Sequence, residues 1–214
     1  MRIGAWFLAA ADHVEVHWKL HILPNLIYGG IGAVVSAGAL LMVLITLGGA
    51  LVGSMITVFI GCIIGLFGLA LLAIQPLLLS GYHQVVAAAL DGHQPPSFWE
   101  AGKAHWINTG ILISIVGVAA LVGFAMCILP GVLIVTASIY ALPAMLAEGC
   151  TPIDALKRSA AMAKAEPLDT AALSIGLIVA VSGLASIPVI GFFLVLPLPT
   201  VMATIAYRAL QSRP

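Results

Sequence analysis

Hydrophobic residues run along this chain in long blocks, and its charged residues are gathered into four short zones between them. No Asp, Glu, Lys or Arg occurs from Leu20 to Leu90, from Ala104 to Ala147, or from Thr170 to Tyr207. A helix needs about 20 apolar residues to cross a bilayer. Each block therefore holds two spanning helices, and the first holds three only if no loop separates them. Turn residues divide the blocks near their middles: Gly48-Gly49 with Gly53, Leu129-Pro130-Gly131, and Ile187-Pro188 with Gly191. The pattern predicts three hairpins, at residues 22–80, 107–147 and 168–209. In the first, the helices fall at about 23–47 and 54–80, and Tyr82–Leu90 continues out of the membrane as a helical extension. Pro197 and Pro199 are expected to kink the last span, which is tolerated where neighbours satisfy the freed carbonyl.

The polar zones carry shorter helices of a different kind. Thr151 is a suitable N-cap, Pro152 suits the first helical position and Asp154 favours the helix N-terminus. Ile153, Leu156, Ala160 and Ala163 then recur on one face, with Asp154, Lys157, Arg158 and Lys164 mostly on the other. Asp154 and Arg158 have the spacing of an i,i+4 pair. The helix, at 151–166, is too short to span and is expected to lie on the membrane surface with its apolar face down, ended by Pro167. Residues 1–21 form a similar helix, with Trp6, Phe7, Ala10, Val14 and Trp18 on its apolar side. Asp12, Glu15 and Lys19 come too soon after Arg2 for an exported signal sequence. A third begins at Ser97, whose spacing to Glu100 is that of a capping box, and runs to about Trp106 within the 82–106 segment of extension, loop and surface helix.

Composition moves this picture from possible to required. Hydrophobic residues make up 62% of the 214 residues and charged ones 7%, with a mean hydropathy of +1.18; soluble domains carry roughly a quarter charged residues. The fold class is all-α: a single polytopic membrane bundle of six transmembrane helices, each hairpin preceded by an interfacial helix. With six spans every charge falls on one side, and the turns on the other carry none. The positive-inside rule makes the charged side cytoplasmic, with both termini inside and the protein in a bacterial inner membrane. Seven spans would strand Arg2 and Lys19 outside. The net charge of zero offers no bulk field for nucleic acid. The widely spaced Cys62, Cys127 and Cys150 form neither a disulfide framework nor a metal knuckle.

The junctions between surface helix and hairpin share a pattern: Trp18-Lys19-Leu20-His21, Gly102-Lys103-Ala104-His105 and Ala163-Lys164-Ala165-Glu166. Pro76, Pro143 and Pro197 each sit late in the second span of a hairpin. Together they suggest a threefold internal repeat. The stretch from Leu129-Pro130-Gly131 through Pro143-Ala-Met-Leu-Ala-Glu148-Gly149 to Pro152-Ile-Asp-Ala-Leu-Lys-Arg158-Ser159 resembles a bacterial six-helix membrane family. That family includes the membrane domain attached to some glycerophosphodiester phosphodiesterases and uncharacterised inner-membrane proteins. Gly81-Tyr82, Asp91-Gly92 and Pro96-Ser97-Phe98 are similar to its middle segment, so the resemblance covers roughly residues 75–165. It implies fold and membrane location and supplies no activity, because the phosphodiesterase barrel is absent from this chain.

Candidate chemistry is sparse. His13, His17 and His21 follow i, i+4, i+8 on one helix, and His pairs at that spacing can share a metal. The alternative is an interfacial stripe whose imidazoles meet water and headgroups. Lys19, Lys103, Lys157, Arg158 and Lys164, with Trp18, Trp99 and Trp106, are expected to contact the lipid interface. No ionisable residue falls inside a span, which argues against ion-coupled transport. No nucleophile–base or cofactor motif appears, and Ser159 reads as a helix-surface serine. The function expected is that of a non-enzymatic scaffold or accessory subunit presenting interfacial helices at the cytoplasmic leaflet. The alternative is a passive channel, transporter or lipid-handling protein, with a cavity near Gln75, Pro143 and Pro197. The expected partners are the bilayer and another membrane protein or a second copy of this chain, with no cofactor and no nucleic acid.

Overall fold

The computed structural model describes residues 3–19, 21–22, 26–27, 30, 74–185 and 197–212, and among them every regular element is helical. In chain order these are α1 (Ile3–Val16), α2 (74–90), α3 (Phe98–Met126), α4 (Ile128–Ser138), α5 (Ala141–Glu148), α6 (Pro152–Ala165), α7 (Pro167–Ala185) and α8 (Pro197–Gln211). The turns expected at 48–53 and 187–191, and most of the first hairpin, lie outside the described residues.

Two stretches, Phe98–Met126 and Ile128–Glu148, are long and apolar enough to cross a membrane. The first differs from its sequence reading. The surface helix expected to stop near Trp106 runs without interruption into the span, because nothing between Trp106 and Gly110 breaks helical hydrogen bonding. At 1.5 Å per residue it is about 43 Å long, more than the ~30 Å of a hydrocarbon core, so its first turns have length to spare. Ser97 does stand at its N-cap, yet its side chain makes no capping hydrogen bond. Ile107, Ile111, Ile115, Val118 and Val122 form an exposed stripe along it, which costs nothing if the surrounding solvent is lipid.

The chain reverses at Cys127, held extended (φ −172°, ψ 154°), two residues before the Leu129-Pro130-Gly131 turn expected from sequence. Pro130 fits because it lies in the first turn of α4, where no intrahelical donor is needed. The reversal is tight: a Cβ on Gly123 would stand 2.9 Å from the Gly131 Cα, and one on Gly131 would run into the Phe124 ring. The returning arm of the hairpin is broken again at Ile139–Tyr140, and Pro143 lies in the first turn of the resumed helix α5. Pro197 is the first described residue of α8. Of the three aligned prolines, Pro143 therefore begins a helical segment rather than kinking one.

Glu148 ends α5, and Gly149 adopts the left-handed conformation (φ 63°) that caps it. Thr151 then caps α6 as expected, its Oγ1 accepting from the Asp154 N–H at 3.3 Å. The face of α6 that packs on the protein is made of small residues. Pro152, Ala155 and Ser159 are buried, whereas Ile153 is exposed. Ile153 and Ala160 flank the docked face instead, in position to meet lipid while smaller residues meet the bundle.

The main core joins the two ends of the chain. Trp6 and Ala10 of α1 and Tyr82 and Val86 of α2 pack with Leu173 and Leu177 of α7 and with Val201, Met202 and Ala206 of α8. A second cluster, Leu112, Ala141, Met145 and Ala155, ties α3 to α5 and α6. Between α2 and α3 the backbones touch: a Cβ on Gly81 would meet the Phe98 carbonyl oxygen, and one on Gly102 the Leu77 carbonyl oxygen. Ser80 Oγ donates to the Gly102 carbonyl at 3.1 Å and Gln84 Nε2 to that of Ala101 at 3.0 Å, fixing the crossing. Such close approach is how helices associate where lipid removes the hydrophobic drive.

Candidate functional site

Polar contacts concentrate where α2, α5 and α8 end. The Tyr207 hydroxyl donates to Glu148 Oε1, and Glu148 Oε2 pairs with Arg158 Nη1 at 2.8 Å. Arg158 thus leaves Asp154, its expected i,i+4 partner, and reaches back across the Gly149 turn. Asp154 pairs instead with Lys157 at 3.5 Å, and the Thr151 hydroxyl holds its carboxyl below the usual range, with Lys157 adding to the effect. Beside this network, Arg208 Nη2 donates to Asp91 Oδ2 at 2.8 Å and to the Ala87 carbonyl at 3.0 Å. The end of the last helix is thereby tied to the end of α2, where Gly92 (φ 68°) turns the chain.

These contacts frame a cavity of about 360 Å³, lined by His83, Gln84, Pro143, Thr204, Tyr207 and Arg208 among others. It takes side chains from the 82–106 segment and from the second and third hairpins, and Pro143 lies on its wall as the channel or lipid-handling alternative requires. Gln75 and Pro197 do not. Its volume falls within the range of small-ligand sites, and a mostly apolar wall with a few convergent polar groups is their usual character.

His83 is buried on the cavity wall, and burial pushes it down to about 3 from 6.5. The titratable groups that share the cavity with it are Asp91, His93, Tyr207 and Arg208. A lowered folded-state pKa means that the unfolded chain binds the proton more readily. The stability His83 confers is therefore fully present above pH 6.5 and is lost as pH falls from there toward 3. It amounts to a few kcal/mol, since each tenfold change in proton affinity is worth about 1.4 kcal/mol. Thermal unfolding of the detergent-solubilised protein is expected to weaken between pH 6.5 and 4, and His83→Gln to make that fall shallower. An equally steep fall in the variant would contradict the assignment.

The histidines singled out from sequence do come together. The His13 and His17 rings stand 4.6 Å apart and those of His13 and His21 5.7 Å apart. The partner that sequence spacing could not reveal is Tyr82, whose hydroxyl lies 2.5 Å from His21 Nδ1. Burial, then His13 and His17, pushes His21 down to about 4; burial and then His17 lower His13. Burial raises Tyr82, which stays a neutral phenol. Among the described residues, no group of three or more His, Cys, Asp or Glu is placed to hold a metal ion.

The residues assigned to the lipid interface are exposed: Trp18, Trp99 and Trp106, and Lys19, Lys103, Lys157 and Lys164. Lys19 Nζ lies 5.9 Å over the Trp18 ring. Arg158 is exposed along its length but committed at its tip to Glu148. Sequence reasoning missed Ser159, which is fully buried. Its Oγ donates to the Ala137 carbonyl at 2.6 Å and accepts from the Tyr140 N–H at 3.1 Å, spanning the break between α4 and α5. Comparison with known protein families, curated proteins and solved structures finds no match to this chain.

Proposed function

We propose that the chain is a non-enzymatic, multi-pass protein of a bacterial inner membrane, six spans in three hairpins, acting as a scaffold or accessory subunit at the cytoplasmic leaflet. The kinship with the six-helix family belongs to the same proposal and rests on the motifs of residues 75–165. The observation that carries the reading is the division of labour among charges at one end. Arg158 with Glu148 and Arg208 with Asp91 are consumed in closing the bundle, while Lys103, Lys157 and Lys164 face outward beside exposed Trp99 and Trp106. Outward cations flanked by tryptophans suit an anionic leaflet or a partner docked there. Packing of α1 on α8 supports termini on the same side.

A second reading, lipid handling, is favoured by the cavity at Pro143, where Arg208 offers a cation beside an apolar wall. Native mass spectrometry of the gently extracted protein separates the two. A stoichiometric protein partner or self-assembly is the result expected of a scaffold. A retained lipid on an otherwise lone chain would support the second reading, and an empty monomer would contradict the first.

A further inference from the structure

Among the described residues, two nitrogens in the histidine cluster are fully enclosed and have no hydrogen-bond partner: Nε2 of His13 and Nε2 of His21. The residues that carry them are 8% and 4% exposed. An unpartnered buried polar group costs its full desolvation penalty, so two such atoms on neighbouring rings are an expensive arrangement to keep without an occupant. On His21 the other nitrogen, Nδ1, is engaged by the Tyr82 hydroxyl. When Nδ1–H donates to that oxygen, Nε2 is left as a bare lone pair. A histidine that binds a metal through one nitrogen is usually anchored through the other in this way.

We propose that His13 and His21 are the two protein ligands of a site for a divalent transition-metal ion of the zinc type, bound through their Nε2 atoms. Two imidazoles sharing a tetrahedral zinc stand with centroids about 5 Å apart, given Zn–N bonds of about 2 Å; the observed separation is 5.7 Å with an interplanar angle of 70°. Neutral imidazole selects zinc, copper or nickel over magnesium or calcium, which require oxygen ligands. His17, partly exposed, has its ring centroid 4.6 Å from that of His13. Because the protein supplies two ligands, water completes the coordination, and affinity is on the order of micromolar, far below that of a four-ligand structural zinc. The ion links the end of α1 to α2 through His21 and Tyr82, fastening the N-terminal surface helix to the hairpin that follows.

The test uses the full-length protein without a polyhistidine tag, stripped with chelator and titrated in detergent with Zn2+ by calorimetry and with Co2+ by visible absorption. One equivalent is expected to bind, with imidazole-nitrogen ligation in the X-ray absorption spectrum of the zinc form. His13→Gln and His21→Gln are each expected to weaken binding at least ~30-fold, and Tyr82→Phe about 10-fold, while His93→Gln leaves it unchanged. Failure of the wild-type protein to bind Zn2+ at about 100 µM, or binding that survives both His13→Gln and His21→Gln, would overturn the proposal. The absorption spectrum of the wild-type zinc form decides the matter even if a variant does not fold.

Discussion

Gly102→Ala is expected to destabilise the protein by about 3 kcal/mol or more, the largest effect of any single-methyl change. The added Cβ would run into the Leu77 carbonyl oxygen, and a backbone atom cannot rotate away as a side chain can. Relief requires α2 and α3 to separate, which also stretches the Ser80 and Gln84 bonds to the carbonyls of Gly102 and Ala101. Overpacking of this kind typically costs about 1–3 kcal/mol, and the strained hydrogen bonds add to it. For a chain of this size the midpoint of thermal unfolding should fall by about 6–12 °C. Gly81→Ala meets the Phe98 carbonyl from the opposite side and should behave alike. Gly117→Ala is the control, since nothing among the described residues lies within 4 Å of its Cβ position, and it should be neutral or slightly stabilising. Equal behaviour of Gly102→Ala and Gly117→Ala would remove the backbone crossing from the account.

Ser159→Ala is expected to cost about 2–4 kcal/mol for the loss of one oxygen. The hydroxyl holds the Ala137 carbonyl and the Tyr140 N–H across the break between α4 and α5. The Tyr140 contact is buried and the Ala137 contact partly so, and an unmade buried hydrogen bond costs about 1–3 kcal/mol rather than its modest net value. Tyr140 adds a side-chain contact to Thr170 at 3.2 Å, so loosening the break also loosens α5 against α7. Thermal unfolding of Ser159→Ala beside Ser138→Ala checks this, because Ser138 bonds the Val135 carbonyl in an exposed position and its loss should change little. Equal midpoints for the two variants would contradict the bridging role.

What the sequence disclosed was set by local rules, and what it hid was set by distance. Gly149 ends α5 and Thr151 starts α6 through capping chemistry that acts within a few residues, and the structure places both boundaries there. The spacing of His13, His17 and His21 is legible for the same reason, but Tyr82 lies 61 residues from His21 and no periodicity joins them. The docked face of α6 is not legible in its apolar pattern, because apolar residues there do not mark burial. The bundle instead receives Pro152, Ala155 and Ser159, small enough for close packing, and leaves Ile153 outside. Where lipid surrounds a helix, hydrophobicity ceases to distinguish inside from outside. The Gly81–Gly102 crossing is hidden similarly, because many glycines punctuate this sequence and only the fold brings that pair together. The partners of Arg158 and Arg208 are equally out of reach, since neither ion pair follows from helical spacing and each closes across a turn or between polar zones.

Sidedness is the claim on which the scaffold reading depends, and the native cysteines report it directly. Cys127 lies exposed at the turn between α3 and α4, and Cys150 lies partly exposed beside Glu148 at the charged end. Variants retaining one of the two, with the remaining cysteines replaced, can be treated with a membrane-impermeant maleimide in intact spheroplasts and again after the membrane is opened. Labelling of Cys127 from outside, with Cys150 labelled only after opening, is the predicted result. Labelling of Cys150 in intact spheroplasts would place the charged end outside and contradict the account.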